Sequence, residues 1–167
     1  MVVENANIED VTLLTELRLE YLKEDHGKLS KSDIEIIRRD LPDYFKKNLN
    51  QNIFCYLIRE KEEIAACAFL LVVEKPMSPE FITGRTGTVL NVYTKPQYRH
   101  KGYAKQAIIS WENEMKKRGY KMTLISTQVD EGAQHLYRKL GYVDCGGLVF
   151  HNTPFDQPME MFFRKVL

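Results

Sequence analysis

The spacing of apolar positions changes several times along the chain, and each change marks an element. Val11, Leu14, Leu17, Leu19 and Leu22 recur at roughly helical intervals and predict a helix from about Ile8 to Glu24. Ser32 with Glu35 resembles a capping box and predicts the start of a second helix. Pro42 lacks an N–H and restricts the residue before it, so it is expected to break or restart that helix, leaving Asp43 to Asn50 as a third short piece. Ile53 to Arg59 and Ile64 to Val73 are β-rich runs flanking the charged turn Glu60 to Glu63, which reads as a hairpin. Pro76, Pro79 and Gly84 mark a loop, and Thr86 to Thr94 follows as a strand. Helical spacing returns at Gly102, with Ala104, Ala107, Ile108, Trp111 and Met115 on one face and Gly119 at the end. Met122 to Ser126 reads as a short strand. Ala133, Leu136, Tyr137 and Leu140 form the apolar face of another helix, stopped by Gly141. Val143 to Phe150 and Met159 to Val166 read as two last strands.

The order is α, α, β, β, β, α, β, α, β, β. Antiparallel hairpins surround one central β–α–β crossover, which predicts an α+β fold with a mixed, mostly antiparallel sheet. A length of 167 residues suits a single domain over 1–167. No repeat, linker or low-complexity segment divides it. The longest apolar stretch, Ile64 to Val73, is too short to span a bilayer. The first residues lack a basic region followed by an apolar one. A cytoplasmic chain with no membrane partner is the expectation. Lys plus Arg number 24 and Asp plus Glu 23, a formal charge of +1, so no nucleic-acid partner is indicated. Three cysteines without a CxxC pair indicate neither a disulfide framework nor a zinc site. Cys55 and Cys67, across the hairpin, read as buried thiols.

The chemistry concentrates in Arg99-His100-Lys101-Gly102-Tyr103-Ala104, between a strand and a helix. A helix start leaves backbone N–H groups unpaired, and the macrodipole adds positive charge there. A phosphate can accept those N–H groups. Gly102 permits a backbone conformation closed to other residues, Ala104 is small, and Arg99, Lys101 and Lys105 supply charge for a ligand with several phosphates. A basic surface turn that merely caps a helix is the alternative. Neither a Walker loop nor a GxGxxG dinucleotide loop is present.

Arg99, Gly102 and Ala104 fit the Gln/Arg-x-x-Gly-x-Gly/Ala signature of the GNAT superfamily of N-acetyltransferases. Asp130 to Tyr142, DEGAQHLYRKLGY, resembles a second segment of that family, N-x-x-A-x-x-[FLY]-Y-x-K-x-G-[FY]. The chain thus resembles a GNAT-like acyl-CoA N-acyltransferase, with helices on both faces of the sheet. The resemblance implies acetyl-CoA as co-substrate and an amine as acceptor, with no metal. Pantetheine would lie along Val92, Tyr93 and Thr94 as an added strand. Pyrophosphate would sit on the N–H groups of His100 to Ala104. Asp130 and Ala133 fall at positions of the second segment that border the cofactor arm, Asp130 in place of an asparagine. The N–H of Val92 or Tyr93 would polarise the thioester carbonyl. Tyr137 matches the tyrosine that hands a proton to the leaving thiolate; a core tyrosine is the other reading of that position.

Two departures accompany the resemblance. Leu90 and Asn91 stand where many relatives carry a strand glutamate that deprotonates the amine. Only Met1 to Val3 precede Glu4, so the first strand of the fold is expected to be shortened or absent. Glu24, Asp25 and His26 fall in a connection that borders the acceptor site in similar folds and are weak candidates for a base, with a solvated cluster as the favoured reading; Glu80 and His151 are weak candidates too, and His100 and His135 read as solvent-facing. A non-catalytic acyl-CoA sensor is the rival function. Cys145 to Pro158 reads as an acceptor-side loop or a contact in a homodimer. The acceptor itself is open among small amines, amino acids, antibiotics, peptide N-termini and protein lysines.

Overall fold

The first strand is present and short, the first of the two outcomes expected for it: β1 (Val2–Asn5) pairs antiparallel with β2 (Ile53–Glu60), from Val2 opposite Arg59 to Asn5 opposite Tyr56. Its pattern is too brief and too exposed to be legible alone. It is fixed from outside, by the β2 edge, by Arg59 donating to the Glu4 carboxylate, and by the Ala6 N–H donating to the Cys55 carbonyl. In this computed structural model the described residues are 1–79, 82–120, 123–128, 131–148 and 160–167, without the side chains of 123–128, 131–133, 147–148 and 160–162.

The first expected helix begins later than its apolar spacing implies. Ile8–Asp10 forms a 3-10 turn capped by Asn7, and α1 proper spans Val11–Asp25. Helix α2 runs unbroken over Lys31–Asn48. Its cap is Ser30, which accepts from the Asp33 N–H, rather than Ser32. Pro42 does not end it. The preceding turn, Arg38 to Asp40, is exposed, so water can satisfy the carbonyl that proline leaves without a donor.

Strand β2 and β3 (Glu63–Glu74) form the expected hairpin, with Leu57 opposite Cys67 and Cys55 opposite Phe69. Both thiols are buried and free. Strand β4 (Arg85–Thr94) leads through α3 (Tyr103–Lys117) to β5 (Thr123–Gln128). β4 and β5 pair in parallel from Thr86 opposite Thr123 to Thr88 opposite Ile125, the geometry a helical crossover requires. Helix α4 (Glu131–Lys139) precedes β6 (Val143–Leu148) and β7 (Glu160–Val166), and β7 pairs antiparallel with both β5 and β6. The strands follow one another in the order β1-β2-β3-β4-β5-β7-β6. This is the mixed α+β sheet the sequence predicts.

Contacts divide the chain into two compact units, Met1–Leu71 with Leu90–Trp111, and Val72–Val89 with Glu112–Leu167. In the first, Val11, Leu14 and Leu17 of α1 and Phe45 of α2 bury against Cys55, Leu57, Cys67 and Phe69. Phe54, Tyr56 and Ile58, which alternate with those β2 residues, are buried too, so β2 is covered on both faces. Trp111, the single tryptophan, is fully buried, and its indole N–H has no hydrogen-bond partner among the described residues. In the second unit Tyr137, Leu140, Tyr142 and Phe163 are buried. Among the described residues no helix is long and apolar enough to cross a membrane, and no group of acidic, histidine or cysteine side chains could hold a metal ion.

Candidate active site

The end of β4 is shaped by Asn91. Its φ of +48° is left-handed, and asparagine tolerates that region better than most residues. A left-handed residue inside a strand interrupts the ladder locally. The recorded ladder to β5 runs only over Thr86 to Thr88, so Val92, Tyr93 and Thr94 lie outside it. Buried Asn91 is held on two sides: its amide oxygen accepts from Arg18 of α1 at 3.2 Å, and its amide nitrogen donates to the Cys67 sulfur at 3.4 Å. Burial pushes the Cys67 thiol up to about 12. The Tyr93 ring is packed in the core of the first unit, where burial and then Glu20 and Glu24 raise its phenol. What Tyr93 offers a ligand is therefore its main chain.

Beyond Thr94 the chain turns sharply. The Lys95 N–H donates to the Ala65 carbonyl, Pro96–Tyr98 forms a 3-10 turn, and His100 and Gly102 adopt φ of +62° and +79°. Two left-handed residues within three positions make a tight turn at the start of α3, of the kind that can gather N–H groups into an anion-binding nest. The described residues give no backbone acceptor to the N–H groups of His100 through Ala104. A Cβ on Gly102 would meet nothing within 4 Å. The backbone angle, not crowding, is what calls for glycine there.

The basic side chains of the turn already have partners. Arg99 donates to the Thr94 carbonyl at 3.1 Å and to both oxygens of Glu24, at 2.5 and 2.6 Å. Glu24, read from sequence as solvated, is thus tied to the loop, while its neighbours Asp25 and His26 pair with each other at 3.6 Å. The Lys101 ammonium lies 3.7 Å from Glu60 and 5.1 Å from the Tyr98 ring centre. Tyr103 turns its hydroxyl to the same Glu60, and that bond, followed by Lys101, holds the Glu60 carboxyl below its usual range. Lys105 and His100 are exposed, and Ala104 is half-buried. An anion on the nest would meet the N–H groups directly and would compete with two carboxylates for Arg99 and Lys101.

Tyr137 lies in the second unit, on α4, and is 1% exposed. Tyr142 meets it edge-on at 5.1 Å, and Phe163 stacks on it at 5.7 Å. Arg138 donates to Asp144 at 3.0 Å and lies over the Phe163 ring. Burial, then the Glu112 carboxylate, pushes the Tyr142 phenol up. Ala133 falls within α4. Asp130, Glu80 and His151 lie outside the described residues, and His135 is exposed. The structure therefore brings Val92 through Lys105 together on one continuous strand, turn and helix start. The contacts of Glu24 with Arg99, of Asn91 with Arg18 and of Glu60 with Tyr103 are what the sequence did not reveal. These partners sit far along the chain, 75 residues apart for Glu24 and Arg99, where no local spacing can reveal them.

The sequence pattern of the acetyltransferase (GNAT) family matches residues 14–142. No curated protein matches the chain in sequence. Among solved structures, a predicted acetyltransferase from Clostridium acetobutylicum with acetyl-CoA is 27% identical, with a TM-score of 0.74 over 90% of this chain and 95% of that one. A GNAT-family acetyltransferase from Streptococcus pneumoniae shares the fold at 16% identity and a TM-score of 0.76, over 99% of this chain and 98% of that one. The PaiA N-acetyltransferase of Thermoplasma acidophilum in complex with coenzyme A shares it at 20% identity and a TM-score of 0.64, over the whole of both chains.

Proposed function

The chain belongs to the GNAT family of acetyltransferases, and from that premise we propose that it moves an acetyl group from acetyl-CoA to a primary amine by direct attack. The observation that carries the reading is the turn at the start of α3, where His100 and Gly102 are left-handed and the N–H groups of His100 to Ala104 have no backbone acceptor among the described residues. Such a turn suits a pyrophosphate. Acetyl-CoA or CoA is present in two of the similar structures.

In this reading Val92, Tyr93 and Thr94 receive the pantetheine arm through their main chain, and Asp130 and Ala133 border it from the second motif. Arg99, Lys101 and Lys105 balance the phosphates once Arg99 and Lys101 exchange their carboxylate partners. The amine nitrogen attacks the thioester carbon, whose oxygen leans on the N–H of Val92 or Tyr93. The carbon–sulfur bond then breaks, Tyr137 gives its hydroxyl proton to the sulfur, and the extra proton of the new amide nitrogen passes through water back to the tyrosinate. No strand carboxylate takes part, because Asn91 occupies that stretch and its amide is engaged by Arg18 and Cys67.

That same engagement favours the second reading, a CoA-binding sensor without turnover. Thiol release separates the two. The protein is mixed with acetyl-CoA and, in turn, a small alkylamine, a free amino acid, an aminoglycoside, a peptide with a free N-terminus and a lysine-containing peptide. Release of CoA with any of them supports the transferase. Tight CoA binding with no release on the whole panel supports the sensor.

A further inference from the structure

The second unit holds a charged pair that acetyl transfer leaves without a role. Glu112 of α3 and Lys165 of β7 meet at 2.7 Å with side chains only 6% and 20% exposed. Taking two charges out of water costs more than burying an apolar pair of similar volume, so such a pair adds little stability; what it supplies is fixed geometry. The Lys165 ammonium also donates to the Leu140 carbonyl at 2.7 Å. That carbonyl lies just past the end of α4, where helix carbonyls lack partners and a cation is favoured. Helix α4 is the element that carries Tyr137.

The remaining contacts of Lys165 point the same way. Its ammonium lies 5.4 Å from the Tyr142 ring centre. Tyr142 touches Tyr137 twice, with its ring edge-on at 5.1 Å and with its backbone N–H, which donates to the Tyr137 carbonyl at 3.0 Å. Phe163 stands two residues before Lys165, on the same face of β7, and stacks on the Tyr137 ring with 24° between the planes. Ring and main chain of Tyr137 are thus held by Tyr142, by Phe163 and by the end of α4. Lys165 contacts the first and the last and shares a strand face with the second. Glu112 in turn anchors Lys165.

We propose that Glu112 and Lys165 are positioning residues that fix the hydroxyl of Tyr137 for proton delivery to the departing sulfur, an inference that rests on the assignment of Tyr137 as the acid. Neither residue touches substrate in this scheme; both act through α4 and Tyr142.

The test is a double-mutant cycle on thiol release, with acetyl-CoA and the fastest amine of the panel above. Lys165→Met should lower kcat roughly ten- to hundredfold, the scale of a small misplacement of a reacting group. CoA affinity and the KM for the amine should stay close to wild type, and Lys165→Arg should recover most of the loss. In a Tyr137→Phe background, Lys165→Met should cost no more than about twofold further, because the two changes disable one unit. Wild-type kcat in Lys165→Met, or the same loss in both backgrounds, overturns the positioning role. If Lys165→Met does not fold, Glu112→Gln, which keeps the volume, carries the same comparison. An unchanged kcat in Tyr137→Phe, or no release with any amine, is a different result: it defeats the acid assignment, and this inference falls with it.

Discussion

The roles proposed for two residues of the candidate site can be separated by measurement. Valine at position 102 would have to adopt a φ of +79°, which costs an L-residue with a branched Cβ about 1–2 kcal/mol or more. Because no atom crowds the site, the fold should survive and the nest should open. Gly102→Val is expected to weaken CoA binding by at least about tenfold, as 1.4 kcal/mol implies, with little change in far-UV circular dichroism; calorimetric titration with CoA reads it. Tyr137→Phe removes only a hydroxyl. Its kcat should fall by about a hundredfold, the low end for a general acid, while CoA affinity holds. The thiols give a third outcome. Cys145 is exposed, whereas Cys55 and Cys67 are buried, and burial raises the pKa of both. Iodoacetamide at pH 8 should label Cys145 alone in the native protein and all three after unfolding, read by peptide mass. A thiol whose folded pKa is raised stabilises the fold below its unfolded pKa, and that contribution is lost as pH climbs from about 8.5 toward about 12. Arg99, Gly102 and Tyr137 were visible in the sequence because motif and local chemistry coincide there. The grip of Glu24 on Arg99 and of Arg18 on Asn91 was not, since tertiary packing alone brings those residues together.

Among the elements, α2 shows most clearly where local reasoning stops. Pro42 should end a helix by its own chemistry, yet α2 continues through it. The flanking turns gain from the Ser30 cap and from Arg38, which reaches the Glu16 carboxylate of α1 at 2.8 Å. Restoring the missing N–H should therefore help. Pro42→Ala is expected to stabilise the protein by about 1–3 kcal/mol, seen as a higher urea midpoint with an unchanged slope. A lower midpoint would mean that the proline ring packs better than its half-buried position suggests. The strands were legible wherever alternation was long, as in β2 and β3. β1 was not, because four residues carry too little pattern and their pairing partner lies more than fifty positions away.

At the scale of the molecule, element order alone announced the mixed sheet and its one parallel crossover. The division into two contact units was not readable, since β3, β4 and α3 each run through both and no break in composition marks the passage. Binding should be visible in the whole fold nonetheless. A ligand that prefers the native state stabilises it by about 2.7 kcal/mol at a hundred times its Kd. For a chain of this size that is a rise in Tm of about 5–10 °C. CoA should produce it in the wild type and no more than about half of it in Gly102→Val at the same concentration.

One feature of α3 supplies the means to watch all of this. Trp111 is the sole indole of the chain, wholly buried, and its N–H meets no acceptor among the described residues. Its fluorescence should peak toward the blue in the folded protein and move far to the red when water reaches it. Every photon of tryptophan emission comes from the helix that begins at the nest. The chain therefore carries a native optical reporter of its own unfolding, with no label to attach and no second indole to subtract.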